Sequence, residues 1–331
     1  MNKKGSVLII SLWIVAILAV FAIGLAHRGA LNLRLARYQR DRLAAGLMAR
    51  AGINKSVTLA DKDGADPNTM GYDTVGECGV NLRGKSPSDY FHQLLGDSGA
   101  FFDIGYSGPQ GAFTYGMLDE ESKININGSS DFEKKKAYCI LNARGVTDAA
   151  QLSEAIIDWM NPASTLVYAK KEPLKMPEEL LLALENYFRE TKGYSDAESG
   201  KRARQAYADI ESLFTIYGDA KLNINTATDE TIGIYVQAVA LNSGLTADVA
   251  DSITNKLISL GNSGPIKEDT ALILDGLTPD ESGLFNQLKN TLKIRSDCLR
   301  IDSTGRSRGS SKKITAVYDR ANAKFLYWRE N

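Results

Sequence analysis

The chain has 331 residues, of which 44% are hydrophobic and 24% charged, an ordinary composition for globular domains and enough for two or three of them. A formal net charge of -1 excludes the strongly basic surface of a nucleic-acid-binding protein and an acidic tail. Cys78, Cys139 and Cys298 are too few and too far apart for a zinc site, and they form at most one disulfide. The simplest interpretation is three buried apolar side chains.

An uncharged apolar run over residues 6–26 follows two lysines and Gly5. As a helix the run is about 30 Å long, which matches the hydrocarbon thickness of a bilayer. Three interpretations compete: a secretory signal cut near Ala26, an uncleaved signal anchor, or a leader of the type IV pilin kind cut between Gly5 and Ser6. The run is long for a secretory signal, and a plain anchor needs no glycine after the lysines. The pattern therefore favours a pilin-like leader of residues 1–5.

Residues 27–59 contain no proline and repeat apolar side chains at helical spacing among several arginines. The apolar positions are Leu31, Leu35, Tyr38, Leu43, Leu47, Ala51 and Val57. The pattern predicts one helix that leaves the membrane unbroken and lays this apolar stripe on a soluble domain. The lysines before the apolar run favour a cytoplasmic N-terminus and the arginines after it oppose one. Because long domains cross the membrane largely regardless of charge, we place the large domain outside.

Residues 60–122 are glycine-rich and predict little regular structure. Ser86 opens a short helix that Gly96 ends, and residues 111–118 alternate like a strand. The acidic stretch 61–66 is rich in oxygen ligands and is predicted to be a loop, but it departs from the pattern of an EF-hand. Calcium is therefore left open, without assigned ligands.

The rest of the chain divides into a helical part and a strand-forming part. Helices are predicted over residues 147–160, 177–193, 228–241 and 246–260 and from residue 278. Three β-rich runs at residues 297–303, 312–318 and 324–329 predict an antiparallel meander. Three strands are marginal alone, so we expect them to need the N-terminal helix and the early strands.

A short repeat stands near both ends of the helical part. Its first copy holds Asn125 and Asn127, and its second copy holds Asn223 and Asn225, followed by Thr226. In each copy an alternating Lys-apolar-Asn-Ile-Asn string leads to an aspartate that can start a helix. We interpret both copies as structural clips, in which the apolar side chains tuck under the helices and the asparagines bind turn backbone.

These patterns together predict an α+β fold, in which a long N-terminal helix packs on an antiparallel sheet. The predicted parts are the leader, a transmembrane helix over residues 6–26, and a pilin-like domain made from residues 27–122 and 295–331. Residues 123–294 form an inserted helical domain in two subdomains, similar to helix-hairpin-helix or SAM-like domains.

Several strings together resemble protein K of the bacterial type II secretion system, the family of large minor pseudopilins. They are the basic leader with Gly5, Asp158-Trp159, Pro177-Glu178-Glu179-Leu180, the string Lys-Leu-Asn-Ile-Asn-Thr-Ala at 221–227, and Tyr327-Trp328-Arg329-Glu330. The resemblance covers essentially the whole chain in the same order. It implies cleavage between Gly5 and Ser6 by a prepilin peptidase, methylation of the new N-terminus and no active site.

The resemblance also implies a place and partners. Family members sit in the bacterial inner membrane with a single span and a periplasmic domain, and they cap the pseudopilus tip with minor pseudopilins I and J above the major pseudopilin and the inner-membrane assembly platform. They lack the glutamate that other pilins carry at the fifth mature position, which here is Ile10. Calcium sites occur in the family, but no ligand can be matched here. Contact with a secreted substrate is left open.

Two other functional classes are less well supported. A membrane-anchored DNA-binding protein of the competence type would grip phosphate with a Gly-x-Gly turn and a basic helix, but residues 241–245 hold one glycine and Asp248 follows. An enzyme is disfavoured because the two histidines, His27 and His92, stand near no nucleophile pattern, and His92 is expected on a short helix. No catalytic residue is predicted.

Overall fold

The computed structural model describes residues 3–66, 69, 71–73, 86–95, 99–107, 113–268 and 272–331. Cys78, Gly96 and the start of the strand expected from residue 111 lie outside the described residues. The helices are α1 (Lys3–Ala65), α2 (Pro87–Phe91), α3 (Asp131–Ala143), α4 (Ala149–Met160), α5 (Leu180–Asn186), α6 (Asp196–Ile210), α7 (Asp229–Asn242), α8 (Ala247–Asn262) and α9 (Pro279–Lys289). A π-helical turn, Tyr187–Thr191, extends α5.

The strands form one main sheet and two small parallel pairs. They are β1 (His92–Leu95), β2 (Ala100–Ser107), β3 (Phe113–Tyr115), β4 (Leu118–Asp119), β5 (Ile124–Asn125), β6 (Phe214–Thr215), β7 (Leu222–Asn223), β8 (Leu292–Lys293), β9 (Cys298–Ser307), β10 (Ser310–Asp319) and β11 (Lys324–Glu330). The main sheet has the order β1-β2-β9-β10-β11, with β3 beside β2 and β4 beside β9, and its pairs are antiparallel. The predicted C-terminal meander is confirmed.

The helix α1 runs unbroken for 63 residues, about 95 Å, and its last third packs on β2, β9 and β10. Most side chains on its buried face are small, and Met48 and Ile53 are larger ones among them. The buried positions include Ala45, Met48, Ala49, Gly52, Ile53, Ser56 and Ala60. Opposite them the core is completed by sheet residues such as Phe102, Ile104 and Ile301. The fold is therefore a helix on a sheet, as the sequence predicted.

The predicted contact stripe of α1 is wrong for most of its members. Leu31, Leu35, Tyr38, Leu43 and Leu47 are all about half exposed or more. Leu31, Leu35 and Tyr38 precede the part of α1 that packs on the sheet. Further along, β9 comes so close to α1 that a Cβ atom on its Gly305 would lie 2.1 Å from the Ala45 carbonyl oxygen. Only small side chains such as Ala45 and Ala49 fit beside Gly305, so Leu43 and Leu47 point away from β9.

Three local expectations are also wrong. The helix α2 ends at Phe91, because the chain turns directly into the strand that begins at His92. His92 therefore lies on a strand, with its Nδ1 atom 2.6 Å from Asp103 Oδ1. Residues 61–65 are the last turn of α1 rather than a loop, since Asp61 accepts a hydrogen bond from the Tyr318 hydroxyl and Asp63 pairs with Arg320.

A second hydrophobic core fills the helical region between β5 and β8, from Ile124 to Ile294. In its first half α3 packs on α4 and α5 packs on α6, and β5 pairs in parallel with β6. In its second half α7 packs on α8 and α8 on α9, and β7 pairs in parallel with β8. Contacts between α3 and α7 join the halves. Cys139 and Cys298 are buried thiols in this core.

Candidate anchoring and assembly site

The N-terminal part of α1 has the properties of a membrane anchor. Its large apolar side chains from Leu8 to Leu25 are all more than half exposed, and Ile10 is among them at 56%. The most apolar window has a mean hydropathy of 2.9, and none of it is buried against the rest of the chain. Gly5 and Ser6 lie in the first turns of the same helix. In length and composition α1 is compatible with a single-pass anchor.

The first copy of the repeat binds the ends of the first helical half to each other. Asn127 Nδ2 donates to the carbonyl oxygens of Leu174 (2.9 Å) and Ile216 (3.0 Å), and its Oδ1 accepts from the Leu174 amide (2.7 Å). Asn125 donates to the Tyr217 carbonyl at 2.8 Å and accepts from the Asn127 amide at 2.8 Å. One asparagine therefore shapes its own turn while the next binds a distant loop.

The second copy repeats this geometry in the second half. Asn225 Nδ2 donates to the carbonyl oxygens of Ile266 (2.8 Å) and Ile294 (3.4 Å), and its Oδ1 accepts from the Ile266 amide (2.9 Å). Asn223 Oδ1 accepts from the Asn225 amide at 3.1 Å. In each half, the repeat therefore ties the first strand to a loop in the middle of the half and to the segment that ends it. The loops contain Leu174 and Ile266, and the end segments contain Ile216 and Ile294.

Replacing Asn225 with alanine should lower the free energy of unfolding by about 2 kcal/mol, since it leaves backbone groups of Ile266 and Ile294 without partners. Chemical denaturation of the full-length chain in detergent measures the loss. The matched control is Asn290→Ala, because Asn290 is exposed and its side chain donates, among the described residues, only to the Asn286 carbonyl of the preceding helix. This variant should change stability by less than about 0.5 kcal/mol. Equal stabilities of the two variants would contradict the clip interpretation.

A buried carboxylate, Asp119, connects the sheet to the second copy of the repeat. Its Oδ2 accepts hydrogen bonds from Asn223 Nδ2 (3.1 Å), Thr226 Oγ1 (2.5 Å) and Ser296 Oγ (2.6 Å). Its Oδ1 accepts from the Glu121 amide at 2.7 Å. Burial raises the pKa of Asp119 to about 6, against the hydrogen bonds that lower it.

Further ion pairs surround this contact. Glu121 is buried, and its Oε1 atom lies 2.8 Å from Lys293 Nζ. Arg320 of the β10–β11 turn lies 3.0 Å from both Asp63 of α1 and Asp73, and all three side chains are buried. We call Asp63, Asp73, Asp119, Glu121, Lys293 and Arg320 the polar junction. It joins α1, the main sheet and the helical region.

The polar junction predicts that the protein is more stable at about pH 5 than at about pH 7. Burial raises the pKa of Asp119 to about 6 from an ordinary 3.8, and burial does the same for Asp73 in spite of Arg320. Because the folded state then binds these protons more tightly than the unfolded chain, stability is greatest below the folded pKa and falls as the pH rises through it. Each carboxyl should contribute about 1 kcal/mol between the two pH values.

Denaturation at about pH 5, 6 and 7 measures this dependence. Asp119→Asn should remove its share of the pH dependence, whereas Asp251→Asn, at an exposed position of α8, should leave the dependence unchanged. A stability that rises steadily from pH 5 to pH 7 would show that the buried carboxyls do not titrate as described.

Two strings that carried the resemblance meet in one contact. Glu178, in the 3-10 turn Pro177–Glu179 before α5, accepts hydrogen bonds through Oε1 from the Tyr327 hydroxyl (2.9 Å) and from Arg329 Nη1 (2.7 Å). This contact docks β11 onto the first helical half.

The sequence left the metal question open. Within the described part of the chain no cluster of three or more histidine, cysteine, aspartate or glutamate side chains could hold an ion. In the oxygen-rich stretch 61–66, Asp61 and Asp63 accept hydrogen bonds from Tyr318 and Arg320 of the same chain. The turn between α7 and α8 holds one glycine, Gly244, at a φ of 70°, and Asp248 stands in the first turn of α8.

A long N-terminal helix on an antiparallel sheet, with helices between the strands, defines a pseudopilin-like fold. A chain in the crystal structure of the GspK-GspI-GspJ complex from the enterotoxigenic Escherichia coli Type 2 Secretion System has this fold, with a TM-score of 0.54 and 13% sequence identity. The alignment covers 89% of this chain and 99% of that chain. The likeness establishes the fold. The sequence matches no protein-family model and no curated protein.

Proposed function

We propose that the chain is a minor pseudopilin of a type II secretion system, held in the bacterial inner membrane with its large domain in the periplasm. The observation that carries the proposal is α1, which is exposed and apolar in its first half and packed on the sheet only in its last third. A helix with these two parts serves as a membrane anchor before assembly and as packing surface afterwards. The structural likeness to a chain from a complex of minor pseudopilins supports the same role.

We further propose a position at the pseudopilus tip. Ile10 takes the place of the membrane carboxylate with which an internal subunit neutralises the amine of its neighbour, and a lone carboxylate there would be expensive. A subunit with nothing above it needs no such partner. The bulky inserted helical domain supports the same position, since it would leave little room for another subunit above this one.

The proposed partners are minor pseudopilins I and J, the major pseudopilin, the prepilin peptidase and the assembly platform. The apolar residues of α1 beyond the membrane, such as Leu35 and Leu43, can contact neighbouring helices because more than half of each side chain is exposed. Co-purification of the full-length chain with pseudopilins I and J from detergent tests the proposal. We expect capture by the native chain and at least about tenfold less by Leu35→Glu with Leu43→Glu.

Arg37→Gln is the matched control, because this exposed residue lies on the same segment of α1 and the change keeps it polar. Its capture of the partners should equal that of the native chain. If the native chain captures neither partner under conditions in which I and J bind each other, the proposal is wrong.

Processing gives a separate prediction. Gly5→Leu should prevent removal of residues 1–5 and abolish secretion in a strain that depends on this chain, because a glycine after basic residues defines the site of the proposed peptidase. Gel mobility and mass of the membrane-bound chain report cleavage. Gly24→Leu is the control, since Gly24 also lies in the apolar run and meets nothing within 4 Å. It should be processed normally. Normal processing of Gly5→Leu would exclude the pilin-like leader.

A further inference from the structure

A cluster of arginines follows the apolar segment of α1, and neither anchoring nor helix packing accounts for it. Its members are Arg28, Arg34, Arg37, Arg40 and Arg42. Asp41 is the only acidic residue among positions 1–60. The proposed orientation places the cluster on the periplasmic side, although basic residues near a span are ordinarily concentrated on the cytoplasmic side. A cluster that opposes this tendency calls for a binding partner.

Most of these arginines are accessible and have no partner within the chain. Four of them are exposed and form no hydrogen bond or ion pair with a described residue. They are Arg28, Arg34, Arg37 and Arg42. Arg40 differs, because its Nη2 atom lies 3.1 Å from Asp41 Oδ1. Every residue of α1 from Leu8 to Arg40 is exposed, so the guanidinium groups along this part can meet a ligand beside the helix.

The three arginines nearest the apolar segment point in different directions around the helix. At about 100° per residue, Arg34 lies about 120° and Arg37 about 180° around the axis from Arg28. A neighbouring helix contacts one face of α1, so it would meet only part of this set. A layer of lipid headgroups surrounds the whole helix and meets all three. The arrangement therefore favours lipid over a protein partner.

The height of these arginines above the bilayer core also fits the headgroup layer. The Cα atoms of Arg28, Arg34 and Arg37 follow Ala26, the last residue of the apolar run, by about 3, 12 and 16 Å along the axis. The headgroup layer is about 5–8 Å thick on each side of the core. Helical side chains lean towards the helix N-terminus, which for α1 is the direction of the membrane. The long arginine stems thus bring the first two charges to the layer and the third within a Debye length of about 8 Å.

We propose that Arg28, Arg34 and Arg37 form a basic collar that binds anionic phospholipids of the bilayer that α1 spans. A guanidinium group donates two parallel hydrogen bonds to one phosphate group. A zwitterionic headgroup carries an ammonium group that repels the collar, whereas an anionic headgroup does not. The collar therefore selects lipids by their net charge. The proposal rests on the proposed membrane anchor and does not depend on the position at the pseudopilus tip.

Native mass spectrometry of the full-length chain in a non-ionic detergent tests the proposal by counting bound lipid molecules. The probes are anionic phosphatidylglycerol and zwitterionic phosphatidylcholine with identical acyl chains. We expect the native chain to bind phosphatidylglycerol at least about fivefold more tightly. A triple variant with Arg28→Gln, Arg34→Gln and Arg37→Gln should bind it about fivefold more weakly than the native chain, with unchanged affinity for phosphatidylcholine. The two lysines before the apolar run also attract anionic lipid, but they are the same in all variants.

Control variants separate the collar from overall charge and from structural damage. Lys201→Gln with Arg204→Gln and Lys221→Gln removes the same charge from exposed positions of the helical region, and it should bind phosphatidylglycerol like the native chain. Arg42→Gln should do so too, because Arg42 lies about 24 Å beyond Ala26 on the same helix. Replacing the three collar arginines with lysine keeps their charge and should keep most of the preference.

Equal affinities of the native chain for the two lipids overturn the proposal, and so does a glutamine variant of the collar that binds phosphatidylglycerol as well as the native chain. Equal losses in the two triple variants also overturn it, because they would report overall charge alone. Extraction of membranes with alkaline carbonate separates this outcome from the proposed function. A chain that stays in the membrane without the lipid preference excludes the collar alone, whereas a chain that carbonate releases has no span and contradicts the anchor as well.

Discussion

Gly305→Ala is expected to lower the free energy of unfolding by about 3 kcal/mol or more, a large effect for one methyl group. The new Cβ atom would lie 2.1 Å from the Ala45 carbonyl oxygen and 2.3 Å from the Ala49 amide nitrogen. These are backbone atoms of α1, so no side-chain rotation relieves the overlap. The helix has to move away from β9, and the core between helix and sheet opens.

Two further glycine variants calibrate this result. Gly309→Ala, in the turn after β9, meets nothing within 4 Å and should change stability by less than about 0.5 kcal/mol. The loss of stability in Gly52→Ala should lie between those of the other two variants. The closest atom to its new Cβ, at 2.1 Å, is the Ser303 hydroxyl oxygen, and this hydroxyl can rotate away. Urea denaturation of the full-length chain in detergent measures all three. Equal stabilities of the Gly305 and Gly309 variants would mean that α1 does not lie this close to the sheet.

Ile10→Glu is expected to weaken membrane insertion or pseudopilus assembly, because a carboxylate near the middle of a membrane helix costs about 2.5 to 3.5 kcal/mol on insertion scales, and less near the interface. A tip subunit has no neighbour above it whose amine could offset this cost. An internal subunit would gain from the same change, since the usual pair would be restored. Secretion and pseudopilus formation are compared for the two variants Ile10→Glu and Ile10→Leu.

The leucine variant keeps the apolar character and approximate volume of Ile10, so it should behave like the native chain. Reduced or unchanged assembly with glutamate agrees with the proposed tip position. A clear gain in fibre formation with glutamate would contradict the proposed tip position and favour a position inside the fibre.

The sequence predicted the elements of the fold better than their contacts. Helical spacing without proline predicted α1, and alternation predicted β9, β10 and β11, because these signals are local. The face that α1 buries was predicted wrongly, because it depends on Gly305, a residue 260 positions after Ala45 along the chain. A glycine in a strand can indicate close backbone approach, but the sequence does not show which backbone approaches.

The same limit applies to the candidate site. Alternation and asparagine chemistry predicted that the repeat would bind turn backbone, but the partners Leu174 and Ile266 lie about 40 residues or more from their asparagines. The polar junction was not predicted at all. One local signal existed: Asp119, Glu120 and Glu121 stand together after a predicted strand, where helix capping does not require three carboxyls. Their partners come from residues far along the chain.

The most direct test of the proposed function is the intact mass and N-terminal sequence of the native chain isolated from bacterial inner membranes. We expect a chain that begins at Ser6, with a methylated amine, and that keeps the apolar segment 6–26. A chain that begins after Ala26 would be a secreted product without an anchor, and it would contradict the assignment as a pseudopilin.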